Sequence, residues 1–320
     1  MTETSAFIDL STPLKIFNDL NEKFASNLYI VDTLKRWIVI NEISAKFLFD
    51  SIYEKYRESK YHSFLGFLYF NGIGCDLDKQ KAFHYTKSAA DNGDVVAQTR
   101  LGVYYFNGIG VVSDFQESFR WVLKASEKNF LPAQHLLACC YKSGVGCNEV
   151  NMPKAIELLK KTAQAGYSNA QFDLAEHYKK GTGIATNSTL AYFWYSKAAK
   201  NGHVKAAFCC GMCCKRSIGT ERDIGKAINW FTIASKLGDA RSMNCLAKIF
   251  LHNDKRLAIH WFRKSAELGH LNSQWQLSKC YQYGIGIQRD IHQSLFWSHA
   301  AEKNHVTYHG LLTISNSFVG

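Results

Sequence analysis

Four cysteines crowd the stretch CCGMCC as Cys209, Cys210, Cys213 and Cys214, and Cys139 and Cys140 form another pair earlier in the chain. Thiolates at C-x-x-C spacing can hold structural zinc, but a tetrahedral site needs four ligands converging, usually from two separated knuckles. Here the four sulfurs fall within six consecutive residues and, on a helix, would surround its axis. The expectation is therefore reduced thiols that fill core and groove positions, with no metal bound. GTERDIGKA imitates a phosphate loop. Yet five residues separate Gly219 from Gly225 where such a loop has four, and Ala227 stands where the magnesium-binding hydroxyl belongs. His299, His305 and His309 cluster near the end and read as histidines of a solvated helical surface. G-x-S-x-G, H-E-x-x-H, H-R-D and D-F-G do not occur. The expectation is a protein with no catalytic residue and no cofactor.

The elements that position these residues come from a repeat. YFNGIG occurs at Tyr69–Gly74 and again at Tyr105–Gly110. Gly74, Gly110, Gly146, Gly183 and Gly219 follow at steps of 36, 36, 37 and 36 residues, and YGIG returns at Tyr283–Gly286. A second marker runs in phase: Ala82, Ser118, Ala155, Ala191, Ala227, Ala258 and Ser294, at steps of 36, 37, 36, 36, 31 and 36. The short step falls at IFLHNDKRLAIHW, where the glycine loop is missing. Each unit reads as two helices. The first carries small-x-x-x-Leu-x-x-x-aromatic, as in Ala97, Leu101 and Tyr105, or Ser273, Leu277 and Tyr281, which places the three on one helical face. The second carries Trp or Phe at its middle and a small-residue pair before a glycine or asparagine stop. Gly72 and Gly74 are expected to end the first helix in a left-handed conformation and turn the chain into the second.

L-G-x-x-Y, G-x-G and A-x-x-W-(F/Y)-x-x-A-A, recurring together, resemble the Sel1-like repeat, a relative of the tetratricopeptide repeat. The resemblance covers residues 61–320, with departures at Cys210 and Cys214, which replace leucine and tyrosine, and in the sixth unit. It implies an all-α fold: a right-handed α-solenoid superhelix of antiparallel helix pairs with a concave and a convex side, each pair burying its faces on its neighbours. Residues 61–320 would form about seven helix pairs plus a final unpaired helix beginning near TYHGLLTISNSFVG, in which Leu311 and Gly320 match Leu101 and Gly110. Residues 1–60 lack the repeat and read as a helical N-terminal cap, with Ser11 or Thr12 as N-cap and Pro13 at the first helical position.

A hydrophobic content of 47%, with 20% charged residues and 3 prolines, is enough apolar material for a continuous stacked core. The start MTETSAFIDLSTPLK lacks a basic region followed by an apolar run, and WIVI is far too short to span a bilayer. With the reduced thiols, this points to a cytoplasmic protein and no membrane partner.

Without catalytic chemistry the reading becomes a binding scaffold, and the resemblance implies an adaptor for protein or peptide partners. In tetratricopeptide-like stacks the first helices line the groove. Counting from the motif leucine, groove positions fall two before, two after, and five and six after it. Two after lie Phe67, Val103, Cys139, Glu176, Met212, Lys248 and Lys279. Five and six after lie Phe70 and Asn71, Phe106 and Asn107, Lys142 and Ser143, Lys179 and Lys180, Lys215 and Arg216, Leu251 and His252, and Gln282 and Tyr283. The expected site is thus aromatic at its N-terminal end (Phe67, Phe70, Phe106) and basic in the middle (Lys142, Lys179, Lys180, Lys215, Arg216, Lys248). At the far end it is mixed (Trp275, Lys279, Tyr283). It suits an extended acidic peptide, although cations also favour helix C-termini for reasons unrelated to binding. The alternative is an RNA-binding helical repeat, prompted by the net charge of +11. Two before each leucine, however, stand Ser63, Thr99, His135, Phe172, Phe208, Asn244, Trp275 and His309. That series is not a base-reading code, so nucleic acid is the weaker reading.

Overall fold

A computed structural model describes residues 11–22, 27–54, 58–147 and 149–317; at residues 22, 27–29 and 305–317 it describes the backbone alone. Among the described residues there are 17 α-helices and no strand. Three helices come first: α1 Ser11–Glu22, α2 Asn27–Ile40 and α3 Ala45–Tyr53. Next are the pairs α4 His62–Asn71 with α5 Lys79–Asp91, α6 Val95–Asn107 with α7 Phe115–Ser126, and α8 Leu131–Ser143 with α9 Met152–Gln164. They are followed by α10 Ser168–Lys180 with α11 Ser188–Lys200, and α12 Val204–Arg216 with α13 Ile224–Lys236. The last are α14 Ala240–Phe250 with α15 Lys255–Glu267, and α16 Leu271–Tyr283 with α17 Ile291–Ser317. The chain forms two compact units, one up to Ala170 and one from Gln171.

Within each unit the motif residues form the core. Ala97, Leu101, Ala89 and Ala90 are fully or almost fully buried, packed with Trp121 and Phe83. In the second unit Ala207, Cys210, Tyr195 and Ala198 do the same. Leu174 is completely buried.

The two glycines of the loop have different jobs. Gly108 caps α6 in the left-handed conformation (φ 66°), and its N–H bonds to the Tyr104 carbonyl. Gly110 is also left-handed (φ 69°), but its close neighbour belongs to the preceding pair: a Cβ there would sit 2.0 Å from the Lys79 carbonyl oxygen at the start of α5. The same approach recurs at Gly146 to Phe115, Gly219 to Ser188 and Gly286 to Lys255. The second glycine therefore sets the spacing between pairs as well as the turn. Gly74 makes this contact with Ala45 at the start of α3, with Phe49 beneath it as Phe83 lies beneath Gly110. So α3 packs as the second helix of a preceding unit, although its sequence does not carry the repeat.

An in-phase series that the motif reading passed over completes the loop. Asp78, Asp114, Asn151, Asn187, Asp223 and Asp254 each cap the second helix, accepting from a backbone N–H of its first turn. The cap's own N–H reaches back to the carbonyl at the aromatic position of the first helix, as Asp114 does to Tyr105 at 2.9 Å. Asp223 makes the equivalent bond to Cys214 at 2.9 Å. Replacing tyrosine with cysteine there leaves the turn intact because the bond is to backbone. The segment expected to begin a separate final helix continues α17 without a break. The side chains of His305, His309 and Leu311, and all of Gly320, lie outside the described residues. No described helix is long and apolar enough to cross a membrane.

Candidate peptide-binding surfaces

The three aromatic groove residues have three different fates. Phe67 is 2% exposed: Phe17 of α1 lies on it, with ring centroids 5.1 Å apart. It is thus core within this unit and not open surface, a placement that depends on a helix distant in sequence. Phe70 is half-buried and stacks on Tyr104 at 5.5 Å. Phe106 is 45% exposed and borders an apolar cavity of roughly 330 Å3. Five groove positions converge on that cavity: Val103, Phe106 and Asn107 from α6, and Cys139 and Ser143 from α8, over a floor that includes Val122 and Leu136. Lys142, at the end of α8, is exposed.

In the second unit the basic residues sit at the C-terminal ends of successive first helices. Lys179 and Lys180 are exposed, but both pair with Glu176 of their own helix, at 3.5 and 2.9 Å. The Tyr195 hydroxyl also donates to that carboxylate. Burial works to raise the Glu176 pKa, yet the bonds from Tyr195 and Lys180 and the two lysine charges hold it below the usual carboxylate value. Part of the charge on α10 is therefore neutralised internally. Lys215, Arg216 and Lys248 differ. No ion pair ties them down among the described residues. All three act on the Cys245 thiol, opposing the burial and the Asp239 carboxylate that raise its pKa, so α12 and α14 bring their charges to the surroundings of one thiol. On α16, Trp275 (40% exposed), Lys279 and Tyr283 (68% exposed) lie four residues apart and form one exposed stripe.

The cysteine cluster divides into separate core contacts. Cys210 and Cys213 pack with Tyr195 and Ala198, whereas Cys214 packs with Phe231 and Leu246 and donates to the Tyr192 hydroxyl at 3.6 Å. Burial raises the Cys213 pKa to about 11 and pushes Cys210 up further. Metal ligation and nucleophilic attack use the thiolate, which burial disfavours here.

Comparisons with known proteins agree with this geometry. Residues 59–94, 95–130, 131–167, 168–203, 204–239, 252–270 and 271–304 match the family model described as the Sel1 repeat, and the shortened sixth match coincides with the unit that lost its loop. The chain is 38% identical over 94 residues to "Chitin synthase regulator SKT5" of Malassezia restricta, a stretch covering 29% of this chain and 6% of that protein. It is 32% identical over 92 residues to the protein of the same name in Saccharomyces cerevisiae, covering 29% and 13%. It is 28% identical over 97 residues to "DAP3-binding cell death enhancer 1" of Rattus norvegicus, covering 30% and 19%. The matched stretch is thus a small part of each relative. The crystal structure of a Sel1 repeat protein from Oxalobacter formigenes superposes with a TM-score of 0.66 at 25% identity, covering 77% of this chain and 99% of that one. Seven matches running from residue 59 to residue 304, each on a helix pair except the shortened sixth, which covers α15 alone, establish that the chain belongs to the Sel1 repeat family.

Proposed function

We propose that the chain is a non-catalytic scaffold that holds an extended acidic segment of a protein partner against the exposed faces of its first helices. Sel1 repeats mediate protein–protein interaction, and the relatives above are named as regulators or as a binding protein. One observation carries the acidic reading: Lys215, Arg216 and Lys248, from α12 and α14, all act on the Cys245 thiol and make no ion pair among the described residues, the Asp239 carboxylate that also acts there being engaged by Arg241. The exposed aromatics of α16, Trp275 and Tyr283, supply apolar contact. The α10 lysines contribute less than their number suggests, because Glu176 already engages both.

Each exposed ion pair contributes about 0.2–1 kcal/mol, so the three free cations supply roughly 0.6–3 kcal/mol. Burial of one or two aromatic anchors adds a few kcal/mol more. After ordering costs the affinity is about micromolar, and it falls with added salt because exposed charges are screened over about 8–10 Å. The test uses a fluorescein-labelled glutamate-rich peptide with a central tryptophan, titrated with the parent chain and a Lys215→Glu, Arg216→Glu, Lys248→Glu variant of unchanged helicity. Binding by the parent and a loss of at least about fivefold in the variant supports the assignment. Equal binding rejects it, and loss confined to a single-stranded RNA probe points to nucleic acid instead.

A further inference from the structure

The first unit already carries a helix on its first-helix face. Phe17 of α1 is 1% exposed, stacked on Phe64 at 4.8 Å and tilted against Phe67 at 5.1 Å. Arg100 of α6 lies over both rings, its guanidinium carbon 5.0 Å from the Phe17 centroid and 5.2 Å from that of Phe67. One turn after Phe17, the Asn21 side-chain oxygen accepts from Arg100 Nη2 at 2.8 Å. An amphipathic helix seated through an aromatic and a polar side chain one turn apart is a recurrent way in which one protein recognises another.

This resident helix satisfies its seat incompletely. Arg100 Nη1 is buried with no hydrogen-bond partner among the described residues, and although the Asp94 carboxylate acts on this guanidinium from the crevice wall, the only side-chain acceptor that hydrogen-bonds it is the neutral amide of Asn21. The Ser63 hydroxyl, at the groove position two before Leu65, is also buried and unpartnered. It lines a crevice of roughly 410 Å3 beside Phe17, Asn18 and Asn21. A carboxylate at the Asn21 position could accept from both Arg100 nitrogens, as guanidinium and carboxylate geometries match. It would give the cation the counter-charge that α1 does not provide through Asn21.

We propose that α1 is an internal stand-in, and that the face formed by Phe64, Phe67 and Arg100 is a docking site for a partner helix bearing an aromatic residue and, one turn later, an Asp or Glu. Such a helix displaces α1 because it pairs Arg100 fully. The site is independent of the basic patch of the second unit, so the two readings stand or fall separately.

The probe is a labelled peptide with the sequence of residues 11–22, in its native form and with Asn21→Asp. The receptors are the full chain and its Phe17→Ala variant, in which α1 loses its anchor. The Asn21→Asp peptide should bind the Phe17→Ala chain about ten- to a hundredfold more tightly than the native peptide does, the range expected for a charge-assisted bond in a buried site. The parent chain should bind it at least about tenfold more weakly, because α1 competes. Adding Arg100→Met to the receptor should erase the preference for Asp. Equal affinity of the two peptides, equal binding by parent and variant, or no binding at all overturns the proposal. If Phe17→Ala loses helicity, the deciding measurement is made in cis. Asn21→Asp in the full chain should slow amide exchange in α1 by about tenfold or more, and unchanged exchange overturns the proposal equally.

Discussion

Replacing either glycine of one loop with alanine separates the two roles that the structure assigns to the G-x-G pair. Gly108 and Gly110 have nearly the same backbone, φ 66° and 69°, so alanine at either incurs the left-handed cost of about 1–2 kcal/mol. Their surroundings differ. A Cβ on Gly108 meets nothing closer than 3.4 Å, whereas one on Gly110 lies 2.0 Å from the Lys79 carbonyl oxygen and 2.9 Å from Phe83 Cβ. Relief requires backbone movement at the start of α5. That end is fixed by Asp78, which caps Lys81 at 2.9 Å and bonds back to Tyr69 at 3.1 Å. Overpacking of this kind adds about 1–3 kcal/mol. Gly108→Ala should therefore cost about 1–2 kcal/mol and Gly110→Ala about 2–5 kcal/mol. Urea unfolding followed by far-ultraviolet circular dichroism measures both. If the two costs agree within about 0.5 kcal/mol, the second glycine is only a turn residue and the inter-pair contact is not what selects it.

In the fifth pair Ser217 takes the left-handed position (φ 58°) that glycine holds elsewhere, so Ser217→Gly should stabilise by about 1 kcal/mol; a loss of stability would show that its bond to the Thr220 carbonyl outweighs the strain. Leu174→Ala should destabilise by about 2–5 kcal/mol, since the side chain is fully buried, and a cost below about 0.5 kcal/mol would place that leucine at the surface. Burial holds the Cys140, Cys213 and Cys280 thiols at about 11, so a thiol reagent at neutral pH should label them slowly in the folded chain and all ten cysteines rapidly in denaturant; rapid native labelling of Cys213 would contradict its placement. His270 caps α16 with its imidazole facing Ser273, and burial, followed by Lys248, lowers its pKa against a smaller opposing effect of Asp239. The unfolded chain takes up this proton near pH 6.5 and the folded chain only lower, so the contribution is complete above that pH and is lost as pH falls through the folded-state value. His270→Asn, which preserves a cap, should therefore show a smaller drop in melting temperature between neutral and mildly acidic pH than the parent, and an equal drop would rule out His270 as the source.

Much of this protein is legible along the chain because a repeat writes the same physical demand many times. Leucine and small residues at helical spacing, glycines at one interval and aspartates or asparagines at another specify helix, turn and cap using only neighbouring residues, and they place Leu174 in the core without a coordinate. The capping series was equally local and could have been read from its spacing. Val103, Phe106 and Cys139, three of the positions expected from sequence to face a partner, line one cavity. What sequence could not decide was who covers whom. Phe67 and Phe106 carry the same residue type on the same helical stripe, yet one lies beneath Phe17 and the other remains half open. The difference comes from a helix about fifty residues away in the chain. The lysines of α10 and the cations of α12 and α14 read alike as basic helix ends, but Glu176 pairs with the first set while the second makes no ion pair among the described residues. Coulomb attraction and burial depend on distance in space, and only the folded chain sets those distances. The Ala45 to Gly74 contact has the same origin: α3 performs a repeat's task through packing alone, with no repeat in its sequence to announce it.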